Sequence, residues 1–192
     1  MQNSPDVRKC VCAIVILSFL LVLLTPQAYA LSPYRPRFQM RSTPYTDSDV
    51  NIITNVVNGE VGGISGLVKM TYADGTVASA DACTIHQIHA MVVSNQVQSN
   101  IFPDTVRSCV SMYWSENYTG TWRQDSEQWE HCHTDVLAAL YGFIDVPQNV
   151  YAATCDPYFA NMYEGYSLWA RVDWDTGWCN GSFYYYSYGG DE

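Results

Sequence analysis

At Pro147 the spacing of apolar residues changes period, and that change restricts the chain to folds with helices first and strands last. In four segments between Asp49 and Gly142, separated by polar stretches, the apolar residues recur at three- and four-residue steps, as on one face of a helix. Val50, Ile53 and Val57 begin the pattern, with Ile52 and Val56 beside them and Asp49 as the expected cap. A second helical segment runs from Thr84 to Gln98, with Ile85, Ile88 and Val92 facing inward. Pro103 and Asp104 open a short third segment through Val106 and Val110. Asp125 and Gln128 have the spacing of a capping pair. They precede a long helix whose inner face holds Trp129, Cys132, Val136 and Leu140 and which Gly142 stops. Between the first two helices, Asp74-Gly75 is a turn signal inside an exposed hairpin, MTYADGTVAS.

Beyond Pro147, Tyr, Trp and Phe dominate, and strands are expected at 149–154, 167–174 and 182–188. The expected class is therefore α+β, with a small antiparallel sheet toward the C-terminus. Tyr184, Tyr185 and Tyr186 in succession place rings on both faces of a strand, one face packing and the other free to stack. Flat amphipathic rings are an ordinary way to hold sugars, although tyrosine-rich edges also occur in structural proteins.

The first thirty residues read as a segment apart from the fold. Arg8 and Lys9 precede an apolar run from 11 to 24, followed by Pro26 and Ala28-Tyr29-Ala30. This is the pattern of a secretory signal peptide cut before Leu31. Fourteen apolar residues are few for a membrane span, so no stable membrane insertion is expected after cleavage; an uncleaved anchor is the alternative. Residues 31–48, rich in Pro, Arg, Ser and Tyr, read as a linker or flexible tail, and 49–192 as the folded domain. After residue 30, seven Lys and Arg stand against eighteen Asp and Glu. That balance excludes nonspecific nucleic-acid binding, which needs a basic footprint.

Five cysteines follow the signal: Cys83, Cys109, Cys132, Cys155 and Cys179. In an exported protein they suggest two disulfide bonds and one unpaired thiol, which would be available for a disulfide-linked partner.

The stretch NVVNGEVGG, residues 55–63, places the carboxylate Glu60 among glycines at the end of the first helix. The chain resembles the catalytic domain of the SleB-type cell wall hydrolases, the spore-cortex-lytic group of bacteria, over residues 49 to 188. The resemblance rests on Asn58-Gly59-Glu60 with Gly62-Gly63, on Ala90 to Val97, and on Phe102-Pro103-Asp104-Thr105-Val106. It continues in the helix end from Val136 to Gly142, in Val150-Tyr151 and in Phe183-Tyr184. Departures are Gln96 in place of an Arg, a longer polar stretch at 64–84, Met112-Tyr113-Trp114 in place of a Gln-Phe pair, and Gly181 where a His often stands.

The resemblance implies a lysozyme- or lytic-transglycosylase-like fold and peptidoglycan glycan strands as the partner. It implies an extracytoplasmic location, in the wall or spore envelope, and no cofactor. Glu60 would be the acid that protonates the glycosidic oxygen, then the base that takes the proton of the muramic C6 hydroxyl. Asn95, Thr105, Tyr151 and Tyr184 are the candidate substrate-binding residues. Asn95 and Thr105 are equally readable as helix caps, and the two tyrosines as strand packing. Asp74, Asp81 and Glu116 sit in polar, turn-like stretches and read as solvated.

Two other readings stay open. One is a noncatalytic glycan-binding protein with a degenerate hydrolase fold. The other is a Cys/His amidase of wall peptides, which would require Cys132 exposed beside a histidine. His86, His89, His131 and His133 lack a metal-site signature, and no metal is assigned. Asn117-Tyr118-Thr119 and Asn180-Gly181-Ser182 fit the glycosylation pattern, which would carry no meaning in the bacterial exported protein that the resemblance implies.

Overall fold

The computed structural model describes residues 45–121, 124–142, 144, 146–174 and 181–189. The expected signal peptide, residues 1–30, and residues 31–44 of the expected linker lie outside them.

Helix α1, Asp47–Glu60, starts two residues earlier than its apolar period suggested. Its cap is Thr46, whose hydroxyl accepts from the Asp49 amide while the Asp49 carboxylate accepts from the Thr46 amide. Asp49 is thus the third helical residue of a capping box and not the cap. Every residue from Ile52 to Asn58 is buried, so α1 is covered on all sides and forms the centre of the core.

Strands β1, Leu67–Tyr72, and β2, Val77–Asp81, form the hairpin around Asp74-Gly75. It is not an isolated flap, because β1 also pairs antiparallel with β4. Helix α2, Ala82–Gln98, follows directly, capped by Asp81. Helix α3, Val106–Tyr113, is capped by Thr105, and a 3-10 turn covers Glu116–Thr119. Helix α4, Glu127–Tyr141, is capped by Ser126, one residue beyond the expected Asp125.

The C-terminal part supplies β3, Val150–Thr154, a one-turn helix α5, Phe159–Met162, then β4, Tyr166–Asp173, and β5, Ser182–Tyr188. The sheet is antiparallel throughout, in the order β2-β1-β4-β5-β3. The fold is therefore α+β, with the helices mostly preceding the sheet and one early hairpin recruited to its flank.

The tyrosine run on β5 does not leave one face free. Phe183 and Tyr185 point into the core, yet Tyr186 is only 2% exposed on the other face. Phe159 of α5 covers it at a centroid distance of 5.1 Å, and its hydroxyl donates to the Pro157 carbonyl at 3.3 Å. The segment after β3 folds back over that face. Gly181, just before β5, has φ +76°, and a Cβ there would stand 2.8 Å from the Trp174 carbonyl oxygen. A histidine does not fit this entry to the strand.

No disulfide bond joins the described cysteines: Cys83, Cys109, Cys132 and Cys155 are all free thiols. This corrects the expectation of two bridges, and with it that of a disulfide-linked partner through one leftover thiol. The sulfurs face other groups. Cys109 donates to Gln96 Oε1 at 3.4 Å, Cys132 lies 3.9 Å from His86 Nδ1, and Gln87 Nε2 donates to Cys83 at 3.3 Å. Cys179 lies outside the described residues. Among the described residues no helix is long and apolar enough to cross a membrane.

Candidate functional site

Glu60 is the last residue of α1, where unpaired helix carbonyls disfavour a negative charge and no basic side chain compensates. Burial pushes its carboxyl above the ordinary value. A hydrogen bond from the Tyr118 hydroxyl to Oε1, 2.8 Å long, favours the ionised form and offsets part of that rise. Glu60 therefore holds a proton at a higher pH than a solvated glutamate does. Asp74 and Asp81 go the other way. Hydrogen bonds from Thr76 and Thr84 hold them below the usual carboxylate range, as expected of turn and cap residues.

The Glu60–Tyr118 pair depends on two features of α1. Gly59 lacks the Cβ that would stand 2.4 Å from the Tyr118 ring, so the ring can lie against the helix end. One turn earlier, the fully buried Asn55 fixes the segment carrying Tyr118. Its Nδ2 donates to the carbonyls of Tyr118 and Gly120, both at 2.8 Å, and its Oδ1 accepts from Trp129 Nε1 at 2.8 Å. A buried amide with its groups satisfied is a rigid strut.

The other predicted residues are placed elsewhere. Asn95, on the last turns of α2, is 3% exposed and donates to the carbonyls of Pro147 and Val150 at 3.0 and 3.1 Å. It anchors the approach to β3. Thr105 is the α3 cap, its hydroxyl accepting from the Ser108 amide. Tyr184 is half-buried on β5, its ring centroid 6.5 Å from that of Tyr186. Tyr151 lines two cavities, one of about 280 Å³ shared with Asn95 and one of about 660 Å³ shared with Gln96 and Trp114. The structure thus brings Asn95 and Tyr151 together, and neither cavity is lined by Glu60, Thr105 or Tyr184.

Gln96, the departure from Arg, is a buried junction. Its Nε2 donates to the Tyr151 carbonyl, and its Oε1 accepts from Trp114 Nε1 at 2.8 Å. These bonds join α2, β3 and the end of α3, and a neutral amide makes them with no buried charge.

The histidines and cysteines form no open site. His86 Nδ1 pairs with Asp135 Oδ2 at 2.7 Å. His89 is buried among Trp114, Phe183 and Tyr185, and burial drops its pKa to about 3, so it is a neutral core residue. Cys132 is fully buried, and burial first, then the Asp135 charge, pushes its thiol up to about 12. The exposed thiolate that an amidase requires is not found at Cys132. Among the described residues no group of three or more His, Cys, Asp or Glu is arranged to hold a metal ion.

Sequence reasoning missed Tyr118 and Asn55. Tyr118 was visible only as the middle of a glycosylation-like triplet, and Asn55 only as a polar interruption on a helix face. Compared with protein-family models, with curated proteins and with solved structures, the chain gives no match.

Proposed function

We propose that the protein cleaves the glycan strands of peptidoglycan at the MurNAc–GlcNAc bond as an exported lytic transglycosylase, with Glu60 as acid and then base. The observation that carries this reading is the buried Glu60 carboxyl, raised in pKa and held by Tyr118 at 2.8 Å. The alkoxide leaving group is poor, so the glycosidic oxygen needs a proton as its bond to C1 breaks. A carboxyl that holds its proton to higher pH than a solvated glutamate is suited to supply it. The resulting carboxylate takes the proton of the C6 hydroxyl as O6 bonds to C1, which closes a 1,6-anhydro ring and restores Glu60.

Tyr118 has two roles in this scheme. It positions the carboxyl, and its hydroxyl steadies the carboxylate formed after proton transfer. A lysozyme-like arrangement is consistent with α1 ending at the acid and the chain passing within seven residues into a strand of the sheet. The apolar run before Ala28-Tyr29-Ala30 agrees with export to the wall or spore envelope.

A second reading, a glycan-binding protein without turnover, draws on one observation: the larger aromatic cavity is not lined by Glu60. Both are tested by incubating the protein with purified vegetative and spore-cortex peptidoglycan and analysing the released muropeptides by mass, beside Glu60→Gln. Products ending in 1,6-anhydromuramic acid, absent with the variant, are expected. Reducing ends at the same bond would retain Glu60 as acid but demand a water-activating partner. Binding without product from either wall would leave the second reading.

A further inference from the structure

The cavity of about 660 Å³ is walled by α3 and the chain before it on one side and by α5 with the ends of β4 and β5 on the other. Its rim gathers exposed apolar side chains: Met112 is 68% exposed, Met162 60%, Tyr163 51% and Tyr113 49%. Large apolar groups left in water on opposite sides of one cleft mark a binding surface and not a packing remainder. The rings pack against one another. Phe102 and Tyr113 pack edge to face at 4.8 Å, and Phe159 stacks on Tyr163 at 4.5 Å.

Two properties select the occupant. The first is the number of phenols. Tyr113, Tyr151, Tyr163, Tyr166 and Tyr188 all line the cleft, and they come from both of its walls. Phenol hydroxyls above an apolar ring surface suit a ligand with alternating C–H faces and hydroxyls. The second is charge. Among the described residues the lining has no Lys, Arg or His and one carboxylate, Glu164, in a chain of net charge −10. An anionic ligand finds no partner and a general repulsion.

We propose that this cleft is a second saccharide-binding site, which holds uncharged sugar units of the glycan strand away from the bond cut at Glu60. The identity of the polymer rests on the glycan-strand reading above. The segment after α3 connects the two places: Trp114 lines the cleft, and four residues later Tyr118 meets Glu60. Four residues span at most about 14 Å, so one strand can reach both.

The test is isothermal titration of the Glu60→Gln protein with a neutral β-1,4-linked N-acetylglucosamine hexamer, then of the same protein carrying Tyr113→Ala and Tyr163→Ala. Saturable binding, weakened about tenfold or more by the double change, is expected. Tyr166→Phe, which removes one hydroxyl and no ring, is expected to weaken binding severalfold. It keeps the test decisive if the alanine variant fails to fold. No binding by the parent, equal affinity in the folded variants, or capture of an apolar peptide in place of the hexamer would overturn the proposal. The two readings fail separately. Tyrosine-dependent binding with no muropeptide released by the unaltered protein sinks the catalytic reading and leaves the cleft. Cleavage with tyrosine-independent binding does the reverse.

Discussion

The Glu60 corner and the aromatic cleft are built on opposite plans. At the corner one ionisable group is held by a hydrogen bond from Tyr118, with Gly59 leaving no spare room and Asn55 bracing the segment. The cleft contains many rings, one carboxylate and a rim of exposed Met and Tyr. A proton donor needs a fixed position and a tuned pKa, whereas a surface that grips sugar needs area and hydroxyls at several points. In the proposed reading the contrast divides the labour, with chemistry at the corner and holding in the cleft.

The largest effect that would break this division is the loss of Glu60. Glu60→Gln should cut release of anhydro products by about a thousandfold, within the range that general acid–base groups contribute, while hexamer binding in the cleft stays within about twofold. Its stability has a sign as well. The folded state raises the Glu60 pKa, so the native protein holds the proton more tightly than the unfolded chain and loses stability as pH rises through the raised value. Glutamine has no such loss. Urea titrations should show the variant gaining on the unaltered protein from about pH 4.5 upward. No gain would mean that Glu60 is better solvated than its position indicates.

Next in size is Asn55→Ala. Removing the amide takes the donor from the Tyr118 carbonyl and the acceptor from Trp129 Nε1, both half-buried, and should cost about 2 kcal/mol in urea unfolding. Cleavage should fall with it, because Tyr118 loses its brace, while the cleft keeps its hexamer affinity. Equal loss at both places would erase the division.

The helical half was legible nearly to its boundaries because caps and apolar period are local signals. Even there, Thr46 and Ser126 cap where Asp49 and Asp125 were expected. Glu60 stood out by its glycines. Its partner did not, since Tyr118 is 58 residues away and nothing in its neighbourhood marks it. Asn95 and Thr105 carried motif weight in the sequence, yet one ties down the approach to β3 and the other caps α3. The three tyrosines of β5 were read as one packed and one open face. That alternation fails because α5 covers the second face, a tertiary contact invisible in the strand itself.

A smaller effect sharpens the corner. Tyr118→Phe removes the hydrogen bond that favours the carboxylate, so the Glu60 pKa should rise further. The alkaline limb of the kcat/KM profile, where a general acid loses its proton, should move to higher pH. A limb that moves down or stays would show that Tyr118 does not act on the reacting carboxyl. Hexamer binding should not change.

The smallest expected effect is none at all, and it bears on why neither region is stapled. With every described cysteine free, a reductant should leave the melting temperature unchanged within about 2 °C, where a lost disulfide would cost several kcal/mol. The thiols themselves should react unevenly. Cys109 and Cys132 are buried, and burial pushes both up to about 12, so alkylation should reach them only on unfolding. Cys83 is exposed, yet partial burial first and then the Asp135 hydrogen bond and charge push it up to about 12 as well. It should label slowly despite its exposure, and Asp135→Asn should speed it, since the thiolate fraction rises as its pKa falls. Peptide-mass mapping after timed alkylation separates these outcomes. Rapid labelling of Cys83 in the unaltered protein would place Asp135 away from it, and would mean that the contact between α2 and α4 differs from the one described.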